Sequence, residues 1–486
     1  MNRLTRRAFL SAITLSAAGC ASAINSYTQP DLPSVVLPPT GVERDPVAHL
    51  LNRATYGPRP GQIARVRAIG RDSWLEQQLD YTSIDEDTVT LRLRRFDTLR
   101  MKPRDLLSFR SRADRRYVRD ELAAMTLVRA VYSERQLYEV MVGFWSDHFN
   151  IYHFKGDTAN LKTVDDREVI RPHALGNFGD MLRASAHSPA MLVYLDNVAN
   201  EKSHPNENYA REIMELHTLG VDGGYTEHDI KEVARCFTGW SINERGEFIF
   251  ISNWHDFDEK RVLGHIIRSD DGVSDGDRVL DILLEHPATP RFVCTKLVRR
   301  LVADDPPESI VDAAVRAWRG NNGDIAPVLR AIFTHPEFET APPKLKRPYE
   351  LLVSLLRVTN ASYNGDNGAI NRLDQLGHRP FGWPTPDGFP DTALEWTGNQ
   401  LGRWNLMIDA FTGSLPGINI DVEALADVGR VHIDDVEALN YFGRLLLKRD
   451  LLPNEVMILR DVAETDTLQA REVLGLLAAS PAFQWR

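Results

Sequence analysis

Apolar positions recur with a helical period along most of the chain. Leu137, Val140, Met141, Phe144, Trp145 and His148 fall at i, i+3, i+4, i+7, i+8 and i+11, one stripe of a single helix. The same period predicts helices over 60–69, 104–131, 206–219, 226–238, 276–286, 289–303, 308–319, 324–334, 347–359, 435–449 and 467–479. Asp45-Pro46 reads as a helix start, with Asp45 as the cap and Pro46 at the first helical position. Strand-type alternation stands out only over 247–252, with a partner near 261–267, and together they predict one small hairpin. There is no internal repeat, no Gly-rich phosphate loop and no strand–helix alternation, which disfavours a Rossmann or barrel architecture. The expected fold is mainly α: one large irregular all-helical domain over 45–486 with a single small β-hairpin.

The first 44 residues follow other rules. Residues 1–23, MNRLTRRAFLSAITLSAAGCASA, join the basic pair Arg6-Arg7 to an apolar run from Ala8 to Ala18. That run is shorter than the about 20 apolar residues a membrane-spanning helix needs. With Phe9 and Leu10 after the arginines, the segment resembles a twin-arginine export signal, an address rather than an anchor. Two endings compete: a lipobox ending at Cys20, which would be lipidated, and a small-x-small cleavage site at Ala21-Ser22-Ala23. The expected location is periplasmic, or held at the cell envelope by a lipid on Cys20. Pro30, Pro33, Pro38 and Pro39 mark 24–44 as an extended tether.

Composition narrows the classes further. A chain of 486 residues with 43% hydrophobic and 26% charged residues is globular, not disordered or fibrous. A net charge of -11 excludes a broad basic face for nucleic acid. Three cysteines are too few for a disulfide scaffold, and Cys236 and Cys294 sit in apolar helical patterns as buried thiols, with a bridge between them left open.

Four segments carry candidate chemistry. The helix from Asn206 to His217 places Glu207 and Arg211 four residues apart, with Asn208, Glu212 and Glu215 on another side and Ile213, Leu216 and Leu219 toward a core. Carboxyls held in unlike surroundings suit acid–base work, with Arg211 and Asn208 binding substrate; the plainer reading is a solvated face of ion pairs. His148 lies in the apolar stripe, as a catalytic group or a hydrogen-bonded core histidine, with Asp147 and Asn150 directed elsewhere. His255-Asp256, after the predicted strand, is a general-base candidate or a turn. The 377–405 segment interleaves Pro and Gly with Phe381, Trp383, Phe389, Trp396 and Trp404; Trp383 and Trp396 could hold sugar rings, or the rings plug the core. No zinc-type ligand spacing and no Gly-x-Ser-x-Gly elbow occurs, so no metal ligands are assigned.

HLLNRATYGP from His49, FWSDHFNI from Phe144, NENYAREIMELHTLG from Asn206, YTEHDIKEVARCFTGW from Tyr225 and HPATPRFVCTKLVRRLVADDPP from His286 together resemble the bacterial family known as domain of unknown function 1800. His255-Asp256 and the Trp-rich segment agree with it. The resemblance runs from His49 nearly to the end of the chain and implies a helical fold and export, often by the twin-arginine route. It implies no reaction and no site residue. His217 stands where the family usually has Phe, and His378 where it usually has Gln.

Three function classes follow. The first is an envelope enzyme, a hydrolase-like acid–base catalyst of a saccharide or other polymer: Glu207, Glu212, His148, His255 and Asp256 gather in one pocket rimmed by the Trp-rich segment. The second is a cofactor- or metal-bearing protein loaded before export, its cofactor unknown. The third is a non-catalytic binding or assembly lipoprotein with an envelope protein as partner.

Overall fold

The computed structural model describes residues 45–269, 272–433, 435–466 and 468–486. The export signal, Cys20 and the tether lie outside the described residues. Asp45 caps the first helix, Pro46–Ala54, accepting from the Val47 and Ala48 amides at 2.8 and 3.2 Å, as the Asp-Pro start predicts. The molecule is mainly helical, and one continuous cluster of buried apolar side chains runs from Val47 to Phe483. No described helix is long and apolar enough to cross a membrane.

Two helices lie at the centre. Gln136–His148 buries its predicted stripe, and also Gln136, Glu139 and Ser146. Pro348–Val358 is buried along its whole length. The long helix Arg112–Tyr132 packs against both. Farther along, Gln400–Phe411 and Ala470–Ala479 pack closely, because Gly475 has no side chain to hold it off the Ile408 backbone. Cys236 and Cys294 are separate buried free thiols.

The structure departs from the periodic reading in four places. The stretch 104–131 is two helices, Pro103–Leu106 and Arg112–Tyr132, because Ser111 and Asp114 form a capping box that starts the second afresh. The stretch 206–219 begins as α-helix, Glu207–Glu212, and continues as a π-helical turn, Ile213–Thr218. The strand Phe248–Phe250 pairs with Trp240–Ile242, closed by Gly246 at φ +73°, rather than with 261–267. Lys260–Val262 instead turns back on His265–Ile267 through Leu263 and Gly264, both at positive φ, the geometry of a tight two-residue hairpin. With Ser362–Tyr363 against Ile418–Asn419, the described residues hold three two-stranded antiparallel sheets in place of one hairpin.

Fourth, helices fill 158–194, where no stripe predicts them. Thr158–Asp165 is buried on every face, including Asn160, Lys162 and Asp165, so no apolar stripe marks it. Lys162 and Asp165 pair at 2.6 Å, which makes their burial tolerable.

Candidate active site

The end of the central helix Gln136–His148 is where the molecule concentrates charge. Asp147 turns away from the core and meets Arg347 at 2.9 Å. Arg347 begins the other central helix and approaches Glu350 at 3.4 Å and Asp391 at 3.5 Å. Arg300, on Ala288–Leu301, reaches Asp391 at 2.7 Å and Glu350 at 3.1 Å. Arg486 closes on Glu350 at 3.2 Å, and its backbone pairs with that of Lys344. Five segments distant in sequence thus meet in one network, buried at Arg300, Arg347, Glu350 and Arg486.

A cavity of about 50 Å³ opens beside Asp147, lined by Tyr56, Arg300, Arg347, His378, Phe381 and Phe389. That space fits a water or two, not a sugar ring. Gly143 makes room for Tyr56, since a Cβ there would stand 2.8 Å from the phenol oxygen.

The Pro/Gly/aromatic segment forms one wall and is tied down at its start. Asn150 donates to the Trp383 and Thr385 carbonyls at 3.0 and 2.7 Å, Tyr194 to the Pro384 carbonyl at 2.9 Å, and the His153 amide to the Phe381 carbonyl at 3.2 Å. Trp383 is half-buried and donates its indole N–H to Asp387 at 2.9 Å. Phe389 and Trp396 are buried, their rings packed on His378, and the indole of Trp396 donates to the Pro390 carbonyl. From Gln400 the segment is helix, started by an Asn399 cap, so Trp404 fills the core.

Burial moves the ionisable groups here toward their neutral forms. Desolvation, with the Asp391 and Glu350 carboxylates nearby, raises Asp147 well above the usual carboxyl range, against the opposing pull of Arg300 and Lys296. Lys296, one helical turn before Arg300, is lowered by desolvation to about 8, with Asp391, Asp147 and Asp387 acting against the shift. Glu212 is raised to about 7 by desolvation and by Glu215 and Asp387. Glu212 and Lys296 therefore sit where a proton can be held or released near neutral pH, and Asp147 is shifted in the same direction as Glu212.

Of the residues singled out by sequence, Glu212 and His148 lie in this electrostatic neighbourhood. His148 is buried, donates from Nε2 to the His217 carbonyl at 3.0 Å, and is held neutral by desolvation with help from Lys296 and His217. That carbonyl belongs to the π-helical turn following Glu212, a feature that often marks functional sites. Glu207 is set apart on an exposed ion network in which Arg211 binds Glu227 at 2.7 Å, Glu215 at 3.3 Å and Glu207 at 3.5 Å. Asn208 donates to the Leu195 carbonyl at 3.1 Å.

His255 and Asp256 belong to a different cluster, so the expected gathering in one pocket is incomplete. His255 is fully buried, with one ring nitrogen 2.7 Å from the Thr238 carbonyl and the other 3.1 Å from Asp275. Lys260 also binds Asp275, at 2.6 Å, and Asp256 pairs with Arg235 at 2.7 Å. The strand Lys260–Val262 packs on the helix Glu227–Cys236, whose Arg235 holds Asp256, so this loop is anchored there.

The sequence reading missed Asp147, Lys296, Arg300, Arg347, Glu350 and Asp391. One usable signal was present: Lys296 and Arg300, four residues apart in FVCTKLVRRL, put two cations on the same side of a helix beside its apolar Val293, Leu297 and Leu301. Among the described residues no group of three or more His, Cys, Asp or Glu side chains is placed to hold a metal ion.

No curated protein and no solved structure matches the chain. A family model described as "Protein of unknown function (DUF1800)" matches residues 49–485, nearly the whole described chain, and the protein belongs to that family.

Proposed function

We propose that the protein is an acid–base hydrolase whose reaction centre is the cleft between Asp147, Lys296 and Glu212, acting on a saccharide or another polymer. One observation supports this above others: a carboxyl raised to about 7 and an amine lowered to about 8 both feel the Asp387 carboxylate, and the amine also feels a second raised carboxyl, Asp147. Glu212, half protonated near neutral pH, gives a proton to the leaving oxygen of the scissile bond. Lys296 in its neutral form, or ionised Asp147, takes a proton from the attacking water. Trp383 and its neighbours supply a flat apolar edge for the chain being cut. The cavity beside Asp147 has room for the water but not for the polymer.

The test is release of reducing ends or other cleavage products from envelope polysaccharides by purified protein. Glu212→Gln should abolish release without lowering thermal stability. Full activity in that variant, or a large loss of stability, would overturn the assignment. The cellular setting proposed with it is export by the twin-arginine route with a lipid on Cys20. Incorporation of labelled palmitate that disappears in Cys20→Ala would support this ending, and unlabelled protein cut after Ala23 would exclude it.

A further inference from the structure

A second and larger pocket, of about 540 Å³, is lined by Arg59, Arg65, Arg92, Tyr132 and Asn360 among others. That volume falls in the range of small-molecule sites, and the pocket shares no lining residue with the cavity beside Asp147. Its cations are short of partners. The guanidinium of Arg92 lies 3.8 Å, and that of Arg59 5.7 Å, from the centre of one ring, Tyr132. Among the described residues neither they nor Arg65 close an ion pair. Arg59 donates from Nη2 to the Val131 carbonyl at 2.7 Å, and the fully buried Arg357 donates from Nη1 to the same carbonyl at 2.9 Å. Two guanidinium groups thus crowd one oxygen, and each keeps a buried donor without an acceptor, Nε of Arg59 and Nη2 of Arg357. Unmet buried donors and adjoining like charges are both costly, and an anion relieves both.

Charge counting defines that anion. Three guanidinium groups and the carboxylates of Asp85, Glu86 and Glu134 line the pocket, and Arg357 behind them adds one cation, so one negative charge balances the site. Asp85 caps the Asp87 amide at 2.9 Å, and Glu86 accepts from the Ser133 hydroxyl at 2.8 Å. Glu134 lies within electrostatic reach of Arg59 and Arg357 but closes on neither. A second negative charge on the ligand would face these three carboxylates without a further cation. Gln77, Asn360 and Ser362 add exposed amide and hydroxyl side chains that make no hydrogen bond among the described residues, which suits a body rich in hydroxyls. We propose that this pocket binds a hydroxylated monocarboxylate, such as a uronic acid, with Arg59 and Arg92 receiving its carboxylate beside Tyr132. The inference does not depend on the hydrolase reading.

Calorimetric titration of the full chain with glucuronate at neutral pH tests this, with glucose and inorganic phosphate for comparison. Glucuronate should saturate one site in the millimolar range or tighter. Glucose, which lacks the carboxylate, should bind more weakly by about tenfold or more, the worth of one hydrogen bond to a charged group. Arg92→Gln, at an exposed side chain outside any ion pair, should weaken glucuronate by about tenfold and leave Tm unchanged. No saturable heat with glucuronate, equal binding of glucose, tighter binding of phosphate, or full affinity in Arg92→Gln would each overturn the proposal.

Discussion

Gly388 packs directly on Asp147: a Cβ at position 388 would overlap the Asp147 carbonyl oxygen, and the glycine sits at φ +76°. The wall of the cleft is therefore seated on the backbone of the helix that carries its acidic floor. Gly388→Ala meets both a steric overlap and a left-handed backbone, the latter alone worth about 1–3 kcal/mol. It should lower the urea midpoint and speed proteolysis within 377–399, whereas Gly377→Ala, also at positive φ but in open space, should do less.

Glu212 gives a signed pH dependence. Its carboxyl stands at about 7 in the folded protein against 4.5 for an ordinary glutamate, so the folded state holds the proton more tightly than the unfolded chain. That contribution is fully present below pH 4.5 and is lost as pH rises through 7. Relative to Glu212→Gln, the wild type should lose thermal stability across that window and change little outside it. A difference in Tm that stays flat from pH 4 to 8 would rule out the shifted carboxyl.

Glu350 is the shared acceptor of the buried network, facing Arg300, Arg347 and Arg486 while also accepting the Arg347 amide at 3.0 Å. Glu350→Gln removes the negative charge and leaves the guanidinium groups in place. Stripping one partner from a buried ion pair costs about 3–5 kcal/mol, and denaturant unfolding should show a loss of that size. Glu207→Gln, on the exposed network, should change stability by less than about 1 kcal/mol.

His255, Asp275 and Lys260 form a buried unit away from the cleft. Asp275→Asn leaves Lys260 without its carboxylate and should cost about 3–5 kcal/mol. His255→Asn should also destabilise. In both variants the folded fraction should retain wild-type turnover, measured well below its Tm, and selective loss of turnover would move His255 into the reaction centre.

The limits of sequence legibility follow from the kind of burial involved. Helices with one apolar face, such as Gln136–His148 and Glu308–Gly320, announce themselves through their stripe. Thr158–Asp165 does not, because it is buried on every face and mixes Asn160, Lys162 and Asp165 with its apolar residues, Lys162 being paired with Asp165. The site divides the same way. Glu212 was legible as a carboxyl near apolar neighbours, whereas Asp147 was passed over beside the more conspicuous His148. Arg347, Glu350 and Asp391 acquire their roles only from partners far along the chain, which no local spacing reveals. The strand 248–250 was read correctly and its partner was not, since Gly246 and the Leu263-Gly264 turn decided which neighbour each strand found.

The network around Glu350 also has a temporal side. Its members come from the 147, 300, 347–350, 391 and 486 regions, so the floor exists only once parts of the chain far apart in sequence have been gathered by the packing of the helices that carry them.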